Sequence, residues 1–363
     1  MRLISYRLPD DGPGDAIRVG IALPGSSGAD SSATVRPRIV PLADLAGRAA
    51  GRTALGPETA SLDLRGLLRA DPGLQSTRAA LATAVGAGVA TLPLDDLRLA
   101  APIPDPGKIV CVGHNYAAHV REQGLPMPDR PMLFAKFGNA IVADGEPVIR
   151  HAWTHALDLE AELAVVIGRR MCRVAPEEAL AHVAGYTVAN DISARDLQGS
   201  RPALGPGERG DGQWLRAKGS DTFCPLGPVL VTPDEIPDPG HLRLRSWRVV
   251  ASGPAVGDDP GAAPAIVLMQ DANTDDMVFD VPRLLAFVSA VISLEPGDVV
   301  LTGTPSGVGV FRDPPVFLEP GDIAVVDVEG IGRLANPIVD DDGSVPARSP
   351  AARMLAGDRP VVA

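Results

Sequence analysis

Three carboxylates pose the first chemical question. Glu160 and Glu162 alternate with apolar residues in LDLEAELAVV, residues 157–166, a segment that otherwise reads as one buried strand. Side chains on a strand alternate between faces, so both acids point the same way, with Cα atoms roughly 6.6 Å apart at ~3.3 Å rise per residue. Asp191 follows an apolar run in AGYTVANDISARDLQ, where a carboxylate at a strand end projects into a cleft. An isolated E-x-E is ordinarily a solvated strand face. Three hard oxygen donors with no His or Cys beside them instead suit Mg²⁺ or Mn²⁺, with Ca²⁺ admitted by the same ligands, in preference to zinc. A divalent ion also removes the repulsion between the paired acids. Asp158 falls outside this ligand set and is expected to make a supporting polar contact or to sit near the rim.

GHNYAAHVREQG supplies a candidate base. If the chain turns helical after Tyr116, His119 and Glu122 lie three apart on one side of the helix. A carboxylate beside an imidazole raises its basicity and selects its tautomer, which suits a general base acting on water; the same spacing also describes a surface pair. His114 reads as a loop or packing histidine, and His151, His155, His182 and His241 have no nameable partner. LTGTPSGVGV, residues 301–310, lacks the Gly-Lys-Ser/Thr of a P-loop and the spacing of a dinucleotide fingerprint. Its backbone amides and Thr304 could hold a substrate carboxylate, or its glycines could simply make a tight turn. Lys218 in RAKGSDTFCPLGP gains interest only if it points into the acidic cleft.

The elements that must position these residues are mostly short strands. With 39 Gly and 36 Pro in 363 residues, turns recur throughout, and AELAVVIG, VAGYTVAND, GPVLVT, GDVVLTG and GDIAVVDV each read as a strand bounded by Gly or Pro. Leu-Glu-Pro-Gly-Asp occurs at 294–298 and again at 318–322, each time launching a strand. Helices are predicted in residues 54–88, in APEEALAHV and in VPRLLAFVSAVISL. The expected class is α+β, mainly β. A small N-terminal α+β domain covers residues 1–100, a catalytic domain 101–340, and a tail or extension 341–363. Residues 199–213 and 249–264 read as surface insertions.

Bulk properties narrow the function. Asp plus Glu number 45 against 33 Lys plus Arg, a net charge of −12 that repels phosphate backbones, so nucleic acid is not an expected partner. The longest apolar segment, LLAFVSAVISL, is too short to span a bilayer, and the N-terminus lacks a signal-peptide core. Cys111, Cys172 and Cys224 are too widely spaced for a disulfide framework or a C-x-x-C site, which points to the reducing cytoplasm.

Taken in order, KIVCVGHNYAAHVREQG, PMLFAKF, DLEAELAVVIGR, GYTVANDISARDLQ, WLRAKGSDTFCPLGPV, QDANTDDMVFD, LEPGDVVLTGTPSGVG and GIGRLANPI resemble the fumarylacetoacetate hydrolase family, in its acylpyruvase and 2-hydroxyhepta-2,4-diene-1,7-dioate isomerase-like branch. The resemblance implies that family's mixed β-sandwich or roll, a homodimer, and Mg²⁺ or Mn²⁺ on Glu160, Glu162 and Asp191. It implies that His119, Glu122 and Lys218 are catalytic and that Arg195, Gln198 and Thr304 contact substrate. The segment 249–264 departs from the short turn common in the family, and with it the rim of the pocket.

The expected reaction is metal-dependent hydrolysis of a carbon-carbon bond in a 1,3-dicarbonyl or acylpyruvate-type 2-oxo acid, with water activated by His119. Decarboxylation of a β-keto acid such as oxaloacetate, or isomerisation or hydration of an unsaturated 2-oxo acid, would use the same enolate. A non-catalytic small-molecule binder on the same scaffold is a third reading, which turnover of any 2-oxo acid would eliminate.

Overall fold

The apolar run after Glu160 becomes the strand Ala161–Ile167, and all 7 of its residues are buried. Such burial on both faces explains why the run is nearly continuous in apolar residues rather than alternating. Leu163, Val165 and Ile167 join a core with Leu244, Val326 and Val328 of a second sheet and with Leu285 and Val288 of a helix. The intervening Ala164 and Val166 face the opposite way, into a core built with Leu64, Leu67 and Leu68 of one helix and Ala80 and Ala84 of another. Each fully buried Leu, Val or Ile contributes on the order of 1.5–3 kcal/mol, so this strand anchors the acids at its start firmly.

In this computed structural model residues 1–12, 14–23, 37–46, 49–50, 53–199, 212–250 and 264–341 are described. A 12-stranded mixed sheet and a 5-stranded sheet dominate. In the larger, Ala161–Ile167 lies between Val183–Asn190 and Val299–Leu301, both antiparallel to it, and Ile109–Gly113 adds in parallel beyond. The strand Arg2–Arg7 pairs with Arg18–Ala22 on one side and Cys224–Val231 on the other, so the sheet continues across residue 100. The smaller sheet runs Val148–Arg150, Gly332–Asp340, Ile323–Val328, Arg243–Val250 and Ala265–Asn273. Its last strand is an edge and exposes Ile266 (59%) and Leu268 (46%).

The repeated Leu-Glu-Pro-Gly-Asp is one turn used twice. Gly297 and Gly321 both have left-handed φ, at 86° and 94°. Asp298 and Asp322 each accept the amide of the Glu three residues before, at 2.8 and 2.7 Å. Each turn feeds a strand, Val299–Leu301 and Ile323–Val328.

The helices form where predicted, as Leu64–Ala70, Gln75–Gly86, Pro176–Ala179 and Val281–Ser289. The last stops short of Leu294, and Ser289 Oγ bonds back to the Ala286 carbonyl at 3.1 Å in its final turn. One expectation needs correction: 157–166 is not a single strand. Leu157–Asp158 pairs with Ser193–Ala194 in a separate small ribbon, and the chain passes through Leu159 and Glu160 before entering the large sheet. Apart from their ends, the segments 199–213, 249–264 and 341–363 lie outside the described residues. No helix among the described residues is long and apolar enough to cross a membrane.

Candidate active site

The break before Ala161 is what brings the acids together. Glu160 donates its amide to Asn190 Oδ1 at 2.9 Å, and its carbonyl accepts the amide of Asp191 at 2.9 Å. The two strands are thus clipped where each delivers a carboxylate. Glu160, Glu162 and Asp191 are all buried, with ligand oxygens within 4.8 Å of one another.

Three buried cations answer them. Lys218, on the helix Trp214–Gly219, places Nζ 2.7 Å from Glu160 Oε2 and 2.9 Å from Asp191 Oδ2. Burial alone would pull its pKa down, but Asp191 and Glu160 hold it above the ordinary lysine value. Arg195 reaches Glu160 Oε1 with Nη2 at 2.6 Å, Asp158 with Nε at 2.9 Å and Gln198 Oε1 with Nη1 at 3.0 Å. Lys136, ending the strand Met132–Lys136, lies 2.6 Å from Asp191 Oδ1 and donates to the carbonyls of Phe223 (2.7 Å), Ile192 (3.1 Å) and Lys218.

Glu160 responds by staying ionised: burial pushes its pKa up, yet Lys218 and then Arg195 hold it well below the carboxylate range. Among the described residues no cation forms an ion pair with Glu162. Its carboxylate accepts the Gly303 amide at 2.7 Å, and burial, then Asp191 and Glu160, raise its pKa well above the usual value. Among the described residues the cations in contact with Asp158, Glu160 and Asp191 are Lys136, Arg195 and Lys218, so ionising Glu162 as well would leave one negative charge for a bound cation to match. An all-oxygen donor set with surplus negative charge fits a hard divalent ion such as Mg²⁺ or Mn²⁺.

His119 lines the same cavity as Glu160 and Glu162. The segment after Tyr116 does turn helical, Ala117–Glu122, and His119 Nδ1 lies 2.8 Å from Glu122 Oε2. His119 is buried and packs edge-on against Phe311, ring centroids 5.9 Å apart.

The glycine-rich loop corrects a second expectation. Its amides at Gly303, Gly307, Gly309 and Val310 donate to Glu162, Glu122, Asp158 and Asp158 respectively, at 2.7 to 3.0 Å. They are spent on the protein's own carboxylates, so they do not hold a substrate acid. Gly303 has φ 98°, and a Cβ there would come within 2.8 Å of Asn115 Cβ, so this approach requires glycine. Thr304 keeps its place beside the cavity, its Oγ1 accepting from Gln270 Nε2 at 2.7 Å.

A cavity of about 180 Å³ opens onto this assembly, with His119, Glu160, Glu162, Arg195, Gln198, Lys218 and Thr304 on its wall, together with Phe134, Trp214 and Phe311. Asp191 bears on it through Lys218, and Glu122 through His119. Sequence reasoning missed Lys136 and Gln270. A lysine closing an otherwise apolar strand, MLFAK, was a signal for the first; nothing local marked the second. Asp158 makes the supporting contact expected of it, joining Arg195 to the loop amides.

Comparison with known proteins bears on the family. Residues 108–339 match the family described as fumarylacetoacetate (FAA) hydrolase C-terminal. The mitochondrial oxaloacetate tautomerase FAHD2B of Bos taurus is 43% identical over 265 residues, 73% of this chain and 77% of that protein. Among solved structures, 2-hydroxyhepta-2,4-diene-1,7-dioate isomerase from Mycobacterium marinum is 33% identical with a TM-score of 0.61, covering 94% of this chain and 99% of that one. Maleylpyruvate hydrolase from Sphingobium sp. SYK-6, solved with manganese(II) and pyruvate, is 29% identical with a TM-score of 0.66 over 94% and 99% of the two chains.

Proposed function

Because this chain belongs to the fumarylacetoacetate hydrolase family, we propose that it moves a proton at the carbon beside the keto group of a short 2-oxo acid, interconverting keto and enol forms. The observation that carries this reading is the His119–Glu122 pair opening into the same cavity as the buried acid triad. A divalent ion held by Glu160, Glu162 and Asp191 would supply positive charge to the keto and carboxylate oxygens of such an acid. Lys218 and Arg195, both kept protonated by their acid neighbours, add donors where negative charge grows on the keto oxygen. His119 has Nδ1 engaged by Glu122, leaving Nε2 to take the proton and return it. Gln198 and Thr304 are assigned to orient the substrate from the cavity wall. The cavity, of about 180 Å³, is of a size suited to small acids.

Hydrolysis is the second reading. The same His119 nitrogen can deprotonate a water instead of a carbon acid, and one structural neighbour is titled a maleylpyruvate hydrolase. Proton NMR of products from enol-oxaloacetate and acetylpyruvate, each with Mg²⁺ or Mn²⁺, separates the outcomes. Ketonised oxaloacetate without pyruvate supports tautomerisation, pyruvate with carbon dioxide marks a decarboxylase, and pyruvate with acetate from acetylpyruvate marks a hydrolase. No turnover of either would overturn the proposal.

We assign residues 101–340 as the catalytic unit and a homodimer as the working assembly, the latter favoured by Ile266 and Leu268 on their edge strand. Three free cysteines favour the cytoplasm as its compartment.

A further inference from the structure

Gln270 has no task in the scheme above, yet every hydrogen-bonding position of its amide is used. It is buried on the strand Ala265–Asn273 of the smaller sheet. Its Oε1 accepts the Ala161 amide at 2.9 Å and the Ser246 hydroxyl at 2.8 Å; its Nε2 donates to the Pro305 carbonyl at 2.8 Å and to Thr304 Oγ1 at 2.7 Å. The Ala161 amide can only donate and the Pro305 carbonyl can only accept, so the side-chain amide has one orientation. A single glutamine thus ties together the start of the strand that carries Glu162, the smaller sheet and the glycine-rich loop.

The backbone around Gln270 is shaped to deliver it there. Between Arg243–Val250 and Ala265–Asn273 the register shifts: Ser246 pairs with Gln270 and Trp247 with Leu268, so Met269 is the extra residue of a bulge. Bulges bend a strand and re-aim its side chains. Arg312 Nη2 holds this one by donating to the carbonyls of Leu268 (2.9 Å) and Met269 (2.6 Å). The loop lies against the bulge at Gly307, where a Cβ would come within 2.3 Å of the Met269 carbonyl oxygen.

The fixed amide decides what Thr304 can do. A hydroxyl offers one proton and two lone pairs. Gln270 Nε2 takes a lone pair of Thr304 Oγ1 and cannot accept in return, and Thr304 Oγ1 donates to no acceptor among the described residues. Thr304 is on the cavity wall, one residue beyond the Gly303 amide that binds Glu162 at 2.7 Å. We propose that Gln270 is a positioning residue that makes the Thr304 hydroxyl a one-way donor to an oxygen of an acid bound beside the triad. This rests on the reading of the cavity as the site of a small acid. Gln270 acts through Thr304, whose proton then makes a charge-assisted hydrogen bond to the ligand.

The test is a double-mutant cycle, read by calorimetry as the dissociation constant of oxalate for the Mg²⁺-loaded protein. Thr304→Val should weaken oxalate about tenfold, as expected for one hydrogen bond to a charged group, and Thr304→Ser should bind like wild type. Gln270→Glu keeps the shape and the acceptor for Ala161 but reverses the hydroxyl. Ionised, its second oxygen accepts the Thr304 proton; protonated, it donates to the Pro305 carbonyl and that oxygen still accepts from Thr304. It should weaken oxalate about tenfold in the wild-type background and less than about twofold in the Thr304→Val background. Gln270→Met, which leaves the hydroxyl unoriented instead of reversed, should cost about threefold, again only when Thr304 is present. Its lost bonds to Ala161, Ser246 and Pro305 should lower the melting temperature equally in both backgrounds, which separates a structural role from the positioning one; if it does not fold, Gln270→Glu carries the cycle. Unchanged affinity in Thr304→Val, or equal oxalate losses from the Gln270 substitutions in the two backgrounds, would overturn the proposal alone. Failure of wild type to bind oxalate would overturn the reading of the cavity as an acid site, and the proposal with it.

Discussion

Glu122 grips His119 from a position that is itself held: Oε2 lies 2.8 Å from the imidazole Nδ1 while Oε1 accepts the Gly307 amide at 2.9 Å. The carboxylate therefore transmits the placement of the glycine-rich loop to the ring. Glu122→Gln keeps an acceptor for Gly307 but removes the charged partner of the His119 ring. We expect kcat to fall by about 10²-fold with KM changed far less, and His119→Ala to fall further, within the ~10²–10⁴ range of positioned general bases. Steady-state loss of enol absorbance measures both, and a Glu122→Gln enzyme at full rate would remove the pair from the mechanism.

Metal binding should release a proton from Glu162. Burial, then Asp191 and Glu160, raise that carboxyl well above its ordinary value, so the metal-free folded chain binds a proton that the unfolded chain has lost. Stability of the metal-free protein therefore falls as pH rises from the ordinary to the raised value. A cation replaces the proton, and its stabilising effect should grow with pH over the same window. Melting curves with and without Mn²⁺ at several pH values test this; a pH-independent gain would contradict it.

Asp158→Ala should be among the most destabilising single changes at the site. It strips Arg195 of one partner and leaves the Gly309 and Val310 amides without their acceptor. Breaking a buried pair from one side costs roughly 3–5 kcal/mol. Asp158→Asn, which retains an acceptor, should cost less. Urea midpoints measure the difference.

Thiol labelling should be uneven. Cys172 is exposed, whereas Cys111 and Cys224 are buried, the latter's thiol pushed up to about 12 by burial and the former's also well above its ordinary value. At pH 8 a maleimide should modify Cys172 rapidly in the folded protein, and Cys111 and Cys224 only after denaturation. Mass spectrometry of the native reaction counts the adducts.

Replacing Ile266 and Leu268 together by Glu should leave the chain folded and monomeric. Both project from the open edge strand, so two acids there cost little within one chain but oppose association across that edge. Light scattering on the purified variant gives the mass; an unchanged dimer would place the interface elsewhere.

How far the sequence could be read depended on how local each feature was. His119 and Glu122 are separated by one helical turn, and Glu160 and Glu162 by one residue, so their pairing was visible in spacing alone. The contacts that complete the site are distant: Lys218 meets Glu160 across 58 positions, and Lys136 meets Phe223 across 87. Spacing carries no information about such meetings, and nothing beside Lys218 in the sequence says that it points into the acidic cleft. The switch between ribbon and sheet at Glu160 was hidden because an alternating pattern is the same on either side of a break. The glycine-rich loop was recognisable as a loop, but the acceptors of its amides were not.

That loop has a consequence for how the protein tolerates change. Because Gly303, Gly307, Gly309 and Val310 address three acids through main-chain nitrogens, what matters there is the register of the backbone. Substitutions at Ser306 should pass almost unnoticed, whereas inserting or deleting one residue between 303 and 309 would misalign Glu162, Glu122 and Asp158 at once. The segment behaves as a ruler whose graduations are peptide bonds, and its length is the constrained quantity.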